Sequence, residues 1–303
     1  MTGDTPRLAP VYLDHLTSAD VAVLTRARSL SQSDHEVRRM LTARPQALID
    51  LLSDDHVFKA VFDDSPDAEQ LLTASPFLVF AVAVHRAGTE LEHASYVPEW
   101  LGPGRWAPVF DVAEHRDFLA AAWRRFFLVE LLASYTHVAS GSVLVASRRG
   151  WRRQRFSELD PVRLAGLLEI VSASERPGIL RRLGDLCLFL TGVFLEFVGR
   201  RGFGAVEGDR IRRAGRLAQT LSPHAHSPVA NAELGDRGAV GLLEALGRRS
   251  YEAAYQLVPR PVPMASEVLG ALPERFGQAR RILNLITERY LFHRRDQWFA
   301  MGG

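Results

Sequence analysis

The stretch Gly184-Asp185-Leu186-Cys187-Leu188-Phe189-Leu190-Thr191-Gly192-Val193-Phe194-Leu195-Glu196-Phe197-Val198 constrains the fold most, because no face of it is polar when it is wound as a helix. Between Leu186 and Val198 only Thr191, Gly192 and Glu196 interrupt the apolar residues, and a helix that is hydrophobic all round belongs in a core or a membrane. A bilayer span needs about 20 apolar residues. This run is shorter and is flanked by Arg181, Arg182, Arg200 and Arg201, so it reads as a buried central helix. Gly184, Cys187 and Thr191 follow an i, i+3, i+7 line, a strip of small residues along which a second helix can approach closely. Asp185 and Glu196 are the buried polar exceptions. A carboxylate removed from water without a partner is costly or takes up a proton, so each is expected to meet an arginine or a helix end.

With 303 residues, 47% of them hydrophobic, the chain is long enough to fill a large core around that helix. The predicted fold is mainly α: a single multi-helix, bundle-like domain over 1–303, built around the buried central helix, with one small β-hairpin. A sub-boundary is expected near 140–156 and an irregular, glycine-rich excursion over 199–238. Lys plus Arg number 37 against 35 Asp plus Glu, so a net charge of +2 gives no global electrostatic case for nucleic acid or a membrane surface. The single cysteine, Cys187, excludes an intrachain disulfide and a cysteine-rich metal site. The N-terminal Met-Thr-Gly-Asp-Thr-Pro-Arg lacks the regions of a signal peptide, so a cytoplasmic location without a membrane span is expected.

Residues 18–53 read as short helices, with Ser18 and Ser33 as caps and Pro45 at a first-turn position. Three such helices resemble a helix-turn-helix in outline, but through Glu69 the chain holds seven bases against twelve acids, a balance that repels DNA. Asp63-Asp64-Ser65-Pro66-Asp67 matches the Asp-Asp-x-x-Asp string of helical prenyl-transferring enzymes, yet Pro66 fits the first turn of a helix capped by Ser65 better than a helix interior.

Residues 76–95 form an apolar helix in which Glu90 and His93 share one face at Glu-x-x-His spacing, as in carboxylate-bridged di-iron bundles. His115, Glu130 and His137 on the next long helix, expected over 114–139, complete a candidate site for iron or manganese. The intervening 95–111 segment, with Trp100, Trp106 and several Pro and Gly, reads as an ordered loop packed by its own side chains. His224-x-His226 lies between prolines without a nearby carboxylate or thiol and reads as a polar loop.

After that helix the period changes. Ser142 to Ser147 is rich in β-branched residues, Arg148-Arg149-Gly150 is a turn, and Trp151 to Phe156 returns as a second strand. Arg148, Arg149, Arg152, Arg153 and Arg155 crowd this hairpin with no acid before Glu158, a pattern that suits either solvated arginines or contact with a polyanion such as nucleic acid. Two helices close the chain, and Trp298-Phe299 at its end is aromatic surface that must dock back or meet another subunit.

The combination of Leu183-Gly184-Asp185, Phe189-Leu190-Thr191-Gly192-Val193-Phe194 and Leu246-Gly247-Arg248-Arg249-Ser250-Tyr251 resembles a group of bacterial all-helical proteins to which no activity is attached. The resemblance covers the second half of the chain and implies no cofactor, ligand or catalytic residue. The expected function is that of a non-catalytic helical regulatory or protein-interaction protein, with itself or another protein as partner. Polyanion binding through the arginine hairpin and a helical-bundle metalloenzyme using Glu90 and His93 are the alternatives.

Overall fold

The computed structural model describes residues 5–29, 33–62, 74–136, 140–147, 150–157, 159–221, 238–258 and 263–291. These residues are mainly α, with fourteen α-helices and two small two-stranded sheets. No described helix is long and apolar enough to cross a membrane. Where the sequence suggests one domain, the chain divides into two compact units, one formed by 1–97, 108–136 and 285–303 and the other by 98–107 and 137–284. The reason is that two helices, not one, are buried on every side.

In the first unit the chain forms α1 (Thr5–His15), α2 (Ser18–Ala27), α3 (Asp34–Ala43), α4 (Pro45–Leu52), α5 (Asp55–Phe62), α6 (Pro76–His93), α7 (Val112–Ala120) and α8 (Ala122–Ser134), with a π-helical turn at Thr287–Leu291. Helix α6 is the centre. Every residue from Phe77 to His85 is buried, and α4, α5, α7 and α8 pack around it. Buried Asp20 ties the start of α2 to the start of α6. Its Oδ2 accepts the Thr17 amide (2.7 Å) and its Oδ1 accepts the amide of Ser75 (2.6 Å), the N-cap of α6. The cap of α2 is thus Thr17, one residue before the expected Ser18, in a capping box with Asp20.

The long helix expected over 114–139 breaks at Ala121, whose ψ of 118° is extended. The carbonyls exposed by the break find donors nearby: Arg124 Nη1 donates to Asp117 O (3.2 Å) and Arg125 Nη1 to Leu119 O.

The second unit contains the 98–107 section of a short hairpin, β1 (Val97–Gly102) and β2 (Arg105–Val109), where a loop is expected from sequence. Its turn uses glycines at φ +153° and +68°, Gly102 and Gly104, which residues with side chains adopt poorly. The hairpin β3 (Ser140–Ser147) and β4 (Gly150–Ser157) pairs antiparallel from Ser140 opposite Ser157 to Ser147 opposite Gly150, where the sequence places it. Then follow α9 (Pro161–Leu167), α10 (Arg176–Val193), α11 (Leu195–Arg201), α12 (Ala205–Leu221), α13 (Ala239–Leu257) and α14 (Pro263–Ile286). Within the 199–238 excursion, α12 is a full 17-residue helix, because Ile211, Ala214 and Ala218 recur at i, i+3, i+7 and bury one face beneath the arginines.

Helix α10 is the buried centre of this unit and packs most extensively on α13. The approach depends on glycines. A Cβ on Gly184 would meet the Tyr251 ring at 2.7 Å, and one on Gly247 would meet the Phe276 ring at 2.5 Å and Cys187 Cβ at 2.9 Å. Tyr251, lying over Gly184, donates its hydroxyl to Asp185 Oδ1 at 2.8 Å. The central run is not one helix, since α10 ends at Val193 and α11 starts after Phe194. Asn284 spans the break, donating Nδ2 to Thr191 O (3.1 Å) and Gly192 O (2.6 Å).

Gly184→Ala and Gly247→Ala should each lower unfolding free energy by about 1–3 kcal/mol, the cost of overpacking. Gly178→Ala, in the first turn of α10 with open space around it, should be neutral or stabilising by up to about 1 kcal/mol. Urea titrations of the three variants check this; equal midpoints would mean the α10 and α13 contact tolerates a methyl group.

Candidate functional site

The first unit holds a cavity of about 440 Å³ walled by four helices. Three of the helices each contribute a stripe of residues at helical spacing, and the fourth a single arginine. From α6 come His85, Gly88, Thr89 and Glu92; from α4 and its C-cap come Gln46, Ile49 and Ser53; α7 gives Arg116, Leu119 and Ala120, and α8 gives Arg125. Gly88 matters by what it lacks: a Cβ there would meet nothing within 4 Å, so α6 leaves its side of the cavity open.

His85 forms the floor of the cavity and is buried. Ser53 Oγ donates its only proton to Ile49 O at 2.9 Å, so at 3.5 Å from His85 Nδ1 it acts as acceptor. The ring therefore carries its proton on Nδ1, and Nε2 accepts from the Tyr12 hydroxyl at 3.3 Å. Burial, and after it the positive charge of Arg125, push the His85 pKa down to about 3, which keeps the ring neutral. Burial likewise pushes the Tyr12 hydroxyl far up, so it stays a donor.

Arg125 is the cation of the cavity. One Nη1 hydrogen bond goes to Leu119 O, Nε is buried without a partner, and no carboxylate among the described residues pairs with it. Burial lowers its pKa, against a raising contribution from Tyr12. Arg116 is more exposed and is committed to the end of α6, its Nε donating to Leu91 O (2.6 Å) and Nη2 to Ala94 O (3.0 Å).

The candidate metal residues do not converge. Glu90 is taken by two guanidinium groups, Arg86 (Nε to Oε1, 3.1 Å) and Arg289. His93 is exposed, His115 donates Nδ1–H to Asp111 O at 2.9 Å, and Glu130 lies 3.9 Å from His15. His137 lies outside the described residues. Among the described residues, no group of three or more His, Cys, Asp or Glu side chains is placed to hold a metal ion. Of the arginine hairpin, Arg148 and Arg149 fall outside the described residues, and Arg152, Arg153 and Arg155 are described only as strand backbone. Asp63 to Asp67, His224, His226, Trp298 and Phe299 also fall outside them.

Of the polar exceptions in the central run, Asp185 is buried, bonded to Tyr251 and 3.8 Å from Arg181 Nε. Glu196 is not fully buried, its side chain keeping 26% exposure because it opens the separate helix α11. Its Oε1 accepts the Trp100 indole N–H (2.9 Å) and the Gly104 amide (3.1 Å), and Arg200 lies 3.4 Å from Oε2. Nearby in the same unit, Glu99 is held by Arg280 and Arg281. Although burial opposes it, those two guanidinium groups keep the Glu99 carboxyl below the usual carboxylate range. These clusters bind their own charges internally.

Sequence reasoning passes over the cavity residues. A signal for one of them exists: His85 is a polar residue directly following the unbroken apolar run Phe77 to Val84, and such a residue must find partners inside. Comparison with protein-family models, with curated proteins and with solved structures found no match.

A histidine held neutral to about pH 3 but free to protonate near its ordinary value of 6.5 when unfolded makes the unfolded state the better proton binder below that value. Stability present above pH 6.5 is therefore lost as pH falls toward 3, by up to about 1.4 kcal/mol per unit from this group. In His85→Gln, which retains a donor and an acceptor but does not titrate, that share of the acid sensitivity should vanish. Parallel curves of unfolding free energy against pH for the two proteins would refute the buried neutral ring.

Proposed function

We propose that the protein is a non-catalytic helical regulatory or interaction protein that works by holding a small ligand in the cavity of its first unit. The observation that supports this reading most is the open position at Gly88, one turn after the buried run Phe77 to His85. Alanine at such a site would favour the helix by about 0.5–1 kcal/mol, so the missing side chain serves the space and not the fold. The polar groups around the space hold their protons firmly. Ser53 donates to a backbone carbonyl, His85 is engaged at both nitrogens and Tyr12 is a fixed donor, an arrangement suited to recognition more than to proton transfer.

Gly88→Leu should fill the cavity while leaving the fold as stable or more so. Ligand-observed NMR with a small-fragment library should then give hits on the wild type that disappear in Gly88→Leu, and the bound fragments should be recovered unchanged. Hits that persist in the variant would place binding elsewhere; chemical conversion of a fragment would argue for an enzyme.

Self-association is a second reading with its own support. Tyr96 and Phe110, which pack edge to face at 6.3 Å, remain 52% and 72% exposed. An aromatic pair left in water at that level fits a contact with a second copy of the chain. Light scattering should report a mass above that of the 33.7 kDa chain for the wild type and a monomer for Tyr96→Ser/Phe110→Ser. A monomeric wild type at high concentration would dismiss this contact.

A further inference from the structure

The wall of the cavity is chemically uneven. Ile49, Leu119 and Ala120 give it an apolar side, while Arg125, Ser53 and the His85 ring give it a polar one. The formal charges that line it are Arg116 and Arg125 against Glu92, with His85 neutral, so the lining carries one positive charge in excess. Arg116 is spent on two carbonyls of α6 and its neighbour. Two groups of Arg116 are thereby engaged, whereas Arg125 has one hydrogen bond, to Leu119 O, and a buried Nε without a partner.

We infer that the ligand is a small organic monocarboxylate, its carboxylate paired with Arg125 and its apolar body against Ile49, Leu119 and Ala120. This assignment rests on the reading of the cavity as a ligand site and adds the ligand's chemistry to it. A half-buried guanidinium whose buried Nε has no partner is a costly arrangement, and a carboxylate supplies both a counter-charge and acceptors of matching planar geometry. Two other capping arginines are paired with carboxylates. Arg248, which caps Pro273 O at 2.7 Å, is also paired with Glu244 at 2.7 Å. Arg124, which caps the same break as Arg125, has the Asp117 carboxylate 3.9 Å away. Arg125 also enters from the first turn of α8, whose N-cap Ala121 offers no side-chain acceptor, so the positive end of that helix adds to the guanidinium field. A single excess positive charge is balanced by a monoanion, whereas a phosphate dianion would leave the cavity negative.

The test is calorimetric titration of the full chain with phenylacetate, with its neutral isostere phenylacetamide and with inorganic phosphate. Phenylacetate should bind the wild type at least about tenfold more tightly than the amide, the scale of one charge-assisted hydrogen bond. That preference should shrink to about twofold or less in Arg125→Gln, and Gly88→Leu should bind neither compound. The wild-type comparison and Gly88→Leu stand even if Arg125→Gln, which also removes a cap, folds poorly. Equal binding of acid and amide, abolished by Gly88→Leu, would overturn the carboxylate while keeping the cavity as the site. No binding of phenylacetate, or tighter binding of phosphate, would also overturn the assignment. Binding that survives in Gly88→Leu would overturn the assignment and the cavity reading together.

Discussion

Broken helices leave carbonyls without partners inside the helix, and side chains supply donors for them in both units of this protein. An α-helix ends with four carbonyls that lack partners within it. A chain that stops and restarts its helices inside a core meets this requirement repeatedly, and here side chains meet it. Arg38 donates to Leu13 O and Leu16 O at the end of α1, and Arg116 does the same for α6. Arg124 and Arg125 serve the break between α7 and α8, Asn284 the break between α10 and α11, and Arg248 the kink of α14 near Arg275. A guanidinium suits the task because its donors lie in a plane, reach two carbonyls at once and remain charged when partly buried. The sequence uses arginine for every base but Lys59.

This device draws cations inward, and the consequence for function lies in how each is neutralised. Arg248 shares Glu244 with Arg280, and Arg280 shares Glu99 with Arg281, so the capping arginine of the second unit belongs to a closed network of ion pairs. In the first unit Arg86 and Arg289 close on Glu90 in the same way. That pairing occupies Glu90: a carboxylate between two guanidinium groups already has its counter-charges. Arg125 stands outside these networks among the described residues, and it faces a cavity.

The types of the elements were legible in the sequence because they rest on local patterns. The all-apolar run around Leu186 marked one core, Ser33 and Pro45 marked helix starts, and the change of period after the long helix marked the hairpin. The second core was equally legible in Phe77 to Val84 but was overshadowed by the longer run. What the sequence hid were the breaks. Nothing local distinguishes Ala121 or Phe194 from a helix interior; they break because distant or neighbouring donors make a break tolerable, and Asn284 lies some ninety residues from the carbonyls it serves. The cavity was hidden for a related reason. Its lining comes as stripes of three or four residues from α4, α6 and α7 and one arginine from α8, each an ordinary half-polar face by itself.

The neutrality of His85 gives the cavity its electrical character. An imidazolium beside Arg125 would add a second positive charge and compete with it for any anion. The ring is prevented from charging by burial and by Arg125 itself, and its hydrogen bonds fit the neutral tautomer, with Ser53 accepting from one nitrogen and Tyr12 donating to the other. The two groups thus differ in kind: the histidine is hydrogen-bonded at both nitrogens without carrying charge, and the arginine carries charge with a carbonyl partner but no carboxylate one among the described residues. Because burial keeps the His85 ring uncharged, it adds no positive charge beside Arg125 in the neutral and mildly acidic range.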